Sequence, residues 1–342
     1  MTFRTMTFRT LATSAAIIAA AVTTTLPVMA QDAKSYVLST ATTGGTYYPV
    51  GVALATLMKV KLEPTKKIGM SAISSAGSGE NVKLMREKQA EFAILQGLFG
   101  LYGAKGSGPL AADGPQPHIR SVTMLWPNVE HFVVQAGDAP TGTVSDMTGL
   151  KGKKFSIGAR NSGTEHSNRF MLTNMGINPE DYDLVFQGYG PSADSLQNGA
   201  IAAASMPGGP PVSVITRVFA QMGDKVKGLE FTDEQAKKAD GGTGLYYKYT
   251  IPAGTYPGQT KDWNTIAQPN FLAVHADVPE AHVYEITKTI FENLAFLNNI
   301  HAATKEVSLE TAMSGLPVPL HPGAAKYYTE KGLKIAPALI AK

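Results

Sequence analysis

Two glycine-containing turns carry residue types that can bind a small anion. The first, ATTGGTYYPVG at residues 41–51, lies between an apolar strand-like run and an apolar helix-like run. Glycines at a strand-to-helix turn let backbone N–H groups approach a ligand, and the helix dipole adds partial positive charge. Phosphate and carboxylate are therefore the ligands that this turn favours.

The second turn repeats the first. LSTATTGGTYY and SIGARNSGTEH align without a gap, which places Gly45 on Gly163 and Thr46 on Thr164. Ligands of open α/β sheets bind beyond the carboxyl ends of the strands, where such turns lie. We therefore expect both turns to face one small molecule. The alternative is that each is an ordinary helix N-cap, since Ser and Thr are favoured there.

Strand and helix patterns alternate along the chain and must position these turns. Apolar runs such as SYVLSTA, GMSAIS and AEFAILQ form a first series with helices between them, and a second series begins at HFVVQA. Such alternation predicts mostly parallel sheets in two α/β lobes. The Pro- and Gly-rich segment 251–259 is expected to be an extended crossing segment, and Asp277 is expected to cap a late helix.

The first 30 residues have the composition of a secretory signal. Residues 1–10 carry two arginines and no acid, residues 11–26 are mostly apolar, and Ala30 offers a cleavage site. The alternative, a retained anchor, is disfavoured because the apolar run is shorter than the roughly 20 residues that span a bilayer. The chain lacks cysteine, and losing Arg4 and Arg9 lowers its formal charge from +3 to +1. A nearly neutral protein without disulfides fits the bacterial periplasm and argues against nucleic acid as a partner.

Five segments together resemble one protein family. They are GGTYYPVGVALA, SSAGSGENVKLMREKQAEFAILQ, LKGKKFSIGARNSGTE, IPAGTYPGQ and VPLHPGAAKYYTEKG, in that order. The chain resembles the TAXI family of extracytoplasmic solute receptors for TRAP transporters. The resemblance implies a type II periplasmic binding fold, two α/β lobes joined by a hinge and closing on an organic anion. It also implies delivery to transporter membrane subunits driven by an ion gradient.

The resemblance and the element pattern together divide the chain. Residues 1–30 are the predicted signal peptide, 31–125 the first part of lobe I, 126–251 lobe II, and 252–342 the return to lobe I with C-terminal helices. The implied ligands are glutamate, 2-oxoglutarate or a related dicarboxylate. We expect a periplasmic monomer that needs no cofactor.

The first turn of lobe I provides the first group of predicted ligand contacts. Gly44, Gly45 and Thr46 offer backbone N–H groups and one hydroxyl to a carboxylate. Tyr47 is predicted to be a wall of the site or a phenol donor. We expect these residues to hold one end of the anion.

Two further polar positions follow the next strands of lobe I. The loop SSAGSGEN offers Ser75, Gly77 and Ser78, although small residues also suit a plain helix N-terminus, with Ser78 as the cap. Gln96 ends the strand AEFAILQ, where a polar side chain would face the cleft. The alternative is a strand-end glutamine satisfied by its own lobe.

The second turn supplies the contacts predicted for lobe II. Ser162, Gly163 and Thr164 are expected to bind the other side of the anion, while Asn161 either helps or only shapes the turn. Arg160 departs from the family pattern of small or proline residues at this place. Its guanidinium could bind a second carboxylate through two parallel hydrogen bonds, or it could be a solvated charge at the rim.

Enzyme signatures are absent from the sequence. It contains no G-x-S-x-G, H-E-x-x-H or G-x-x-x-x-G-K-[ST] motif, and its histidines lack metal-ligand spacing. We therefore predict no catalytic residue and no metal site. A receptor for a sensor or another transporter type is the alternative function, followed by a periplasmic hydrolase.

Overall fold

The strands are short apolar runs that form two sheets. In this computed structural model, which describes residues 1–3 and 33–341, the strands are β1 Lys34–Ser39, β2 Ile68–Ile73, β3 Phe92–Gln96, β4 Ile119–Val129, β5 Phe132–Gln135, β6 Lys154–Ser156, β7 Asp183–Val185, β8 Ala203–Ser205, β9 Val226–Gly228, β10 Tyr247–Ile251 and β11 Trp263–His275. The predicted signal peptide, 1–30, lies outside the described residues except for its first three. Cleavage therefore stays a prediction.

Helices follow most of the strands. They are α1 Tyr47–Leu57, α2 Glu63–Lys66, α3 Ser78–Arg86, α4 Gly97–Lys105, α5 Gly163–Asn174, α6 Tyr189–Gln197, α7 Ser213–Met222, α8 Asp233–Asp240, α9 Glu280–Glu292, α10 Leu294–Asn298 and α11 Pro322–Glu330. A π-helical turn, Met58–Leu62, connects α1 to α2. Within the described residues, no helix is both long and apolar enough to cross a bilayer.

Each sheet is the centre of one lobe. The larger sheet has the order β10-β11-β3-β1-β2, and β4 also pairs with β11. Here β1 runs parallel to β2 and β3, whereas β11 is antiparallel to its neighbours. The smaller sheet has the order β7-β6-β8-β5-β9, with β6 parallel to β7 and β8. The predicted two-lobed α/β architecture is confirmed. The expectation of mostly parallel sheets is wrong, because β4, β5, β10 and β11 run antiparallel to the strands with which they pair.

Separate hydrophobic cores support the two lobes. Tyr36, Phe92 and Trp126 are buried beneath the helices of the larger sheet, and Phe132 and Phe155 are buried in the smaller lobe. Burying such a side chain contributes roughly 1.5–3 kcal/mol. Each lobe therefore holds its own turns in place without disulfides, as no cysteine is present.

The chain passes between the sheets immediately after β4. Glu130 and His131 separate β4 from β5, and the backbone N–H of Glu130 donates to Ile266 O of β11 at 2.9 Å. The chain returns to the larger sheet between β9 and β10. The lobe limits given above for the sequence stay a prediction.

Two local expectations differ from the structure. Residues 252–262 form the turn between antiparallel β10 and β11 instead of an extended crossing segment, because their prolines and glycines suit tight turns. Helix α9 begins at Glu280 with Pro279 as its N-cap residue. Asp277 does not cap it, and its carboxylate instead pairs with Lys88 Nζ at 2.8 Å.

Candidate functional site

A small cavity lies where the two lobes meet at the carboxyl ends of their strands. Both predicted turns line it, with Ala41, Gly45 and Thr46 on one side and Ala159 and Gly163 on the other. Its volume is about 30 Å³, enough for one or two water molecules. The two turns that match in sequence therefore face one shared space between closely apposed lobes.

Five helices present their first residues to this cavity. Tyr47, Ser78, Gly163 and Tyr189 begin α1, α3, α5 and α6, and Gln96 is the N-cap residue of α4. The first N–H groups of a helix have no acceptor within the helix, and the helix dipole makes this end partly positive. Converging helix N-termini are therefore suited to an anion.

Among the residues that the structure describes, no charged side chain lines the cavity. The residues around it, all within 33–341, are Gly, Ala, Pro, Ser, Thr, Tyr, Asn and Gln. Any positive potential at the cavity must therefore come from backbone dipoles, because no Lys or Arg of the described residues lines it. Such a site can neutralise a carboxylate through hydrogen bonds alone.

In the first turn, Thr46 is the N-cap residue of α1, but its side chain makes no cap hydrogen bond. Its hydroxyl instead donates to Gly209 O of lobe II, with Oγ1 3.4 Å from the carbonyl oxygen. Gly45 packs against the Tyr189 ring, and a Cβ at Gly45 would lie 3.1 Å from that ring. Gly44 does not line the cavity, because it packs against the backbone of Gly190. The predicted turn thus contacts both the cavity and the opposite lobe.

In the loop before α3, Ser75, Gly77 and Ser78 have three different roles. Gly77 is the N-cap residue and has φ of +124°, which favours glycine, so Ser78 is not the cap. Ser78 lines the cavity, and its hydroxyl accepts the N–H of Gln96 at 3.1 Å. The Ser75 hydroxyl accepts the N–H of Gly77 at 3.0 Å and lies outside the cavity. Ser75 therefore shapes the turn.

Gln96 is buried at the cavity with its Oε1 unpaired by any described donor. A Cβ at Gly163 would lie 2.5 Å from this oxygen, so the side-chain amide reaches across to the start of α5. Asn128, also lining the cavity, has an unpaired Nδ2 within the described residues. Buried polar atoms usually have partners, so these two amides are available to a ligand.

The second turn is fixed within lobe II. The Ser162 hydroxyl accepts the N–H of Glu165 at 3.0 Å and caps α5. Thr164 Oγ1 lies 2.7 Å from Tyr189 Oη, which donates to Pro207 O at 2.8 Å. The polar wall of this lobe is therefore held by hydrogen bonds that need neither lobe I nor a ligand.

Arg160 and Asn161 lie beside the turn but do not line the cavity. The exposed guanidinium of Arg160 stacks on the Phe186 ring at 3.8 Å from its centre. Asn161 has a left-handed backbone with φ of 58°, and its carbonyl accepts the N–H of Glu80 from lobe I at 3.1 Å. The structure thus places Arg160 at the rim and Asn161 at a contact between lobes.

Sequence reasoning missed Tyr189 and Asn128. Tyr189 follows β7 in the segment QGYGPS, a strand, glycine turn and helix start like those of the other turns, so the same pattern could have revealed it. Asn128 lies near the end of a buried strand, and nothing in its neighbours distinguishes it. Its role follows only from the pairing of β4 with β11.

Both tyrosines at the cavity are neutral donors. Burial raises the pKa of Tyr47 well above its usual value, an effect partly offset by Ser78. Burial also raises the pKa of Tyr189. The Tyr47 hydroxyl donates to Asn270 Oδ1 of β11. Neither phenol can therefore act as a base near neutral pH.

A metal centre is not found in the described part of the chain. Within residues 1–3 and 33–341, no group of three or more His, Cys, Asp or Glu side chains is arranged to hold an ion. The chemistry available at the cavity is hydrogen bonding by backbone N–H groups, hydroxyls and amides.

A family model described as the NMT1-like family matches residues 38–332, most of the chain. Among solved structures, MatC from Rhodopseudomonas palustris with bound malate is 11% identical, with 86% of this chain and 97% of that chain covered and a TM-score of 0.52. A protein from Bordetella bronchiseptica RB50 is 14% identical, with coverages of 88% and 83% and a TM-score of 0.50. A protein described as a periplasmic transporter is 13% identical, with coverages of 86% and 94% and a TM-score of 0.50. These likenesses support the two-lobed fold.

Proposed function

Because this chain belongs to the NMT1-like family and has a two-lobed solute-binding fold, we propose that it is a periplasmic receptor for a small organic anion. The proposed ligands are glutamate, 2-oxoglutarate or a related dicarboxylate. The observation that carries this proposal is the convergence of five helix N-termini on a cavity without charged side chains. A carboxylate is the common group that such a cradle binds.

At four of these helices, α1, α3, α5 and α6, the third residue has no free N–H to offer a ligand. The third residue of α1 is Pro49 and that of α6 is Pro191, and proline has no N–H. The third N–H of α5 is capped by Ser162, and that of α3 donates to Asn161 O. The N–H groups of the first two residues are what each helix can offer. This arrangement supports recognition of a group with several acceptor oxygens.

Binding, and not catalysis, is the activity that this site supports. No side chain lining the cavity, all of which lie in the described region, is a carboxylate, imidazole, thiol or amine. General acid–base chemistry near neutral pH usually employs these groups or a tyrosine, and burial raises the pKa values of both cavity tyrosines, Tyr47 and Tyr189. We therefore propose that the protein closes on its ligand and releases it chemically unchanged.

A screen of thermal stability tests the ligand class. A ligand at a concentration of about 100 Kd stabilises the native state by about 2.7 kcal/mol. We expect stabilisation by glutamate, 2-oxoglutarate or malate, the last being the molecule bound to MatC. Stabilisation by sugars or metal cations alone would show that the carboxylate proposal is wrong.

We further propose that the partner is the membrane part of a TRAP transporter, as the resemblance to TAXI receptors implies. Vesicles containing candidate membrane subunits should take up the ligand only when this receptor and an ion gradient are both present. Uptake that requires ATP would identify another transporter type. The proposed periplasmic location predicts a mature protein that begins at Gln31, which N-terminal sequencing measures.

A further inference from the structure

Glu130 is a buried carboxyl group at the junction of the two lobes. It directly follows β4, where the chain passes from the larger sheet to the smaller one, and it is 0% exposed. No hydrogen bond of ordinary length reaches either carboxylate oxygen from the described residues, although the Gln268 amide lies close enough to oppose part of the rise in the pKa of Glu130. Among the ion pairs within residues 33–341, none includes Glu130. An ionised carboxylate in such surroundings is strongly disfavoured.

The groups facing Glu130 come from both lobes. Tyr47 on α1 of lobe I and Tyr189 on α6 of lobe II are near enough to interact electrostatically with its carboxyl group, and both line the ligand cavity. The Tyr246 phenol and the Gln268 amide also lie close to it. Because Tyr47 and Tyr189 lie on opposite lobes, we expect that parting the lobes exposes this fully buried carboxyl group to water.

The neighbours of Glu130 do not supply a compensating charge. Burial raises the pKa values of Tyr47, Tyr189 and Tyr246, and it lowers the pKa of His131 to about 3. All four are therefore neutral near pH 7. Burial raises the pKa of Glu130 itself from 4.5 to about 8, with a smaller opposing effect from Gln268. Glu130 is thus the group in this cluster that is protonated at neutral pH in this closed structure and loses its proton near pH 8.

We propose that closure of the two lobes on an anion is coupled to the uptake of one proton by Glu130. The proton comes from solvent and forms an O–H bond on one carboxylate oxygen, while no other bond changes. Uptake removes a negative charge from beside the site where the ligand's own negative charge enters. The inference rests on the proposed function, because it concerns the same cavity.

The direction of the pH dependence follows from linkage. The carboxyl group has its ordinary pKa when solvated and a raised pKa when closed, so the closed form binds more protons between these two values. Ligand affinity should therefore fall as pH rises from about 4.5 to about 8, by up to tenfold per pH unit, and then level off.

Calorimetric titration with 2-oxoglutarate at about pH 5.5 and about pH 8.5 measures this effect, and we expect roughly 100-fold weaker binding at the higher pH. In Glu130→Gln, which cannot ionise, the two affinities should agree within about threefold, on a scale where tenfold is about 1.4 kcal/mol. Glu306→Gln, which changes an exposed carboxylate, should behave like the wild type. Equal affinities in the wild type, or a pH dependence that persists in Glu130→Gln, would overturn the proposal. An affinity that follows sodium concentration instead of pH would also overturn it.

Scattering from the ligand-free protein separates this inference from the proposed ligand class. Protonation of Glu130 should favour closure, so the wild type should be more compact at about pH 5.5 than at about pH 8.5, while Glu130→Gln should keep one radius. If no carboxylate binds but this compaction occurs, the ligand class is wrong and the proton coupling stands. If 2-oxoglutarate binds and neither affinity nor radius depends on pH, the coupling is wrong and the proposed function stands.

Discussion

The Gly-Thr segments before and at the starts of α1 and α5 match in sequence, but the two helices begin at different places in that match. Helix α5 begins at Gly163, whereas α1 begins at Tyr47, which aligns with Glu165. In lobe II, the Ser162 hydroxyl caps the N–H of Glu165 within its own lobe. In lobe I, the third residue of the helix is Pro49, which has no N–H to cap. The hydroxyl of Thr46, the N-cap residue, instead donates across to Gly209 O. Both solutions leave the first two N–H groups of the helix without an intrahelical acceptor.

The hydrogen bonds of Ser162 and Thr46 therefore affect different properties, namely the stability of one lobe and the closure of the two lobes. The bond of Ser162 exists whether the lobes are apart or together, so it stabilises the lobe. The bond of Thr46 joins the two lobes, so we expect it to form only when they close. The hydroxyl residues at the two N-cap positions, Thr46 and Ser162, therefore contribute to different equilibria.

The largest expected effect comes from placing a charge between the turns. Gln96→Glu puts a carboxylate against the start of α5, where it repels a carboxylate ligand, and like charges brought together cost several kcal/mol. We expect calorimetric affinity for 2-oxoglutarate to fall roughly 100-fold or more.

Gln96→Leu is the matched neutral control, since it removes the amide while keeping a similar volume. Its loss should be clearly smaller. Equal losses for the two variants would show that repulsion is not the reason, and unchanged affinity in Gln96→Glu would place the anion elsewhere.

Closure itself can be obstructed from outside the cavity. A Cβ at Gly79 would lie 2.3 Å from the Asn161 carbonyl oxygen of the other lobe. Gly79→Ala should weaken binding by about 1–3 kcal/mol, roughly 5- to 150-fold. The same change in a helix should stabilise the free protein by roughly 0.5–1 kcal/mol, because Ala is a better helix former.

The control for this variant is Gly190→Ala, because a Cβ at Gly190 meets nothing within 4 Å. Titration and denaturant unfolding should show weaker binding with higher stability only in Gly79→Ala. Undiminished binding by Gly79→Ala would mean that the functional closed state is looser than this structure.

Replacing each of the two N-cap hydroxyl residues by alanine tests the comparison between the turns. Ser162→Ala loses a helix cap and should lower the free energy of unfolding by about 0.5–2 kcal/mol. Thr46→Ala loses no cap and should leave this quantity nearly unchanged. It should instead weaken ligand binding by about 0.5–1.5 kcal/mol, roughly 2- to 13-fold, because the bond to Gly209 O is lost.

Urea unfolding without ligand and calorimetry with ligand together measure this pair. The comparison fails if Thr46→Ala destabilises the free protein as much as Ser162→Ala does.

The smallest effect is expected at Arg160. Its guanidinium is exposed and stacks on Phe186 at 3.8 Å from the ring centre, outside the cavity. Arg160→Ala should change affinity for both mono- and dicarboxylates by less than about threefold, as surface substitutions usually contribute within 0.5 kcal/mol. A selective loss of dicarboxylate binding would bring Arg160 back into the site.

Much of this architecture could be predicted because local patterns agree with it. Strands β1, β2 and β3 are apolar runs separated by clear helix and turn signals, and tertiary contacts do not override them. The aligned turns also predicted that Gly45 and Gly163 face one space, because glycine turns at strand ends are local features. Their contact with a ligand stays a prediction.

Other features depend on contacts between distant segments. Asn128 reaches the cavity through the pairing of β4 with β11, and Glu130 is buried by residues from both lobes. The orientation of the Arg160 side chain follows from the left-handed backbone of Asn161 and from stacking on the Phe186 ring. No spacing within the sequence encodes these relationships, so inspection of one segment at a time misses them.

A crystal structure with 2-oxoglutarate bound is the most direct test of the central claim that helix N-termini hold a carboxylate. The account predicts a carboxylate within about 3 Å of N–H groups at the starts of α1 and α5, with Gln96 and Asn128 as further partners. A ligand whose carboxylates are held by Arg160 or another basic side chain, away from these helix starts, would contradict it.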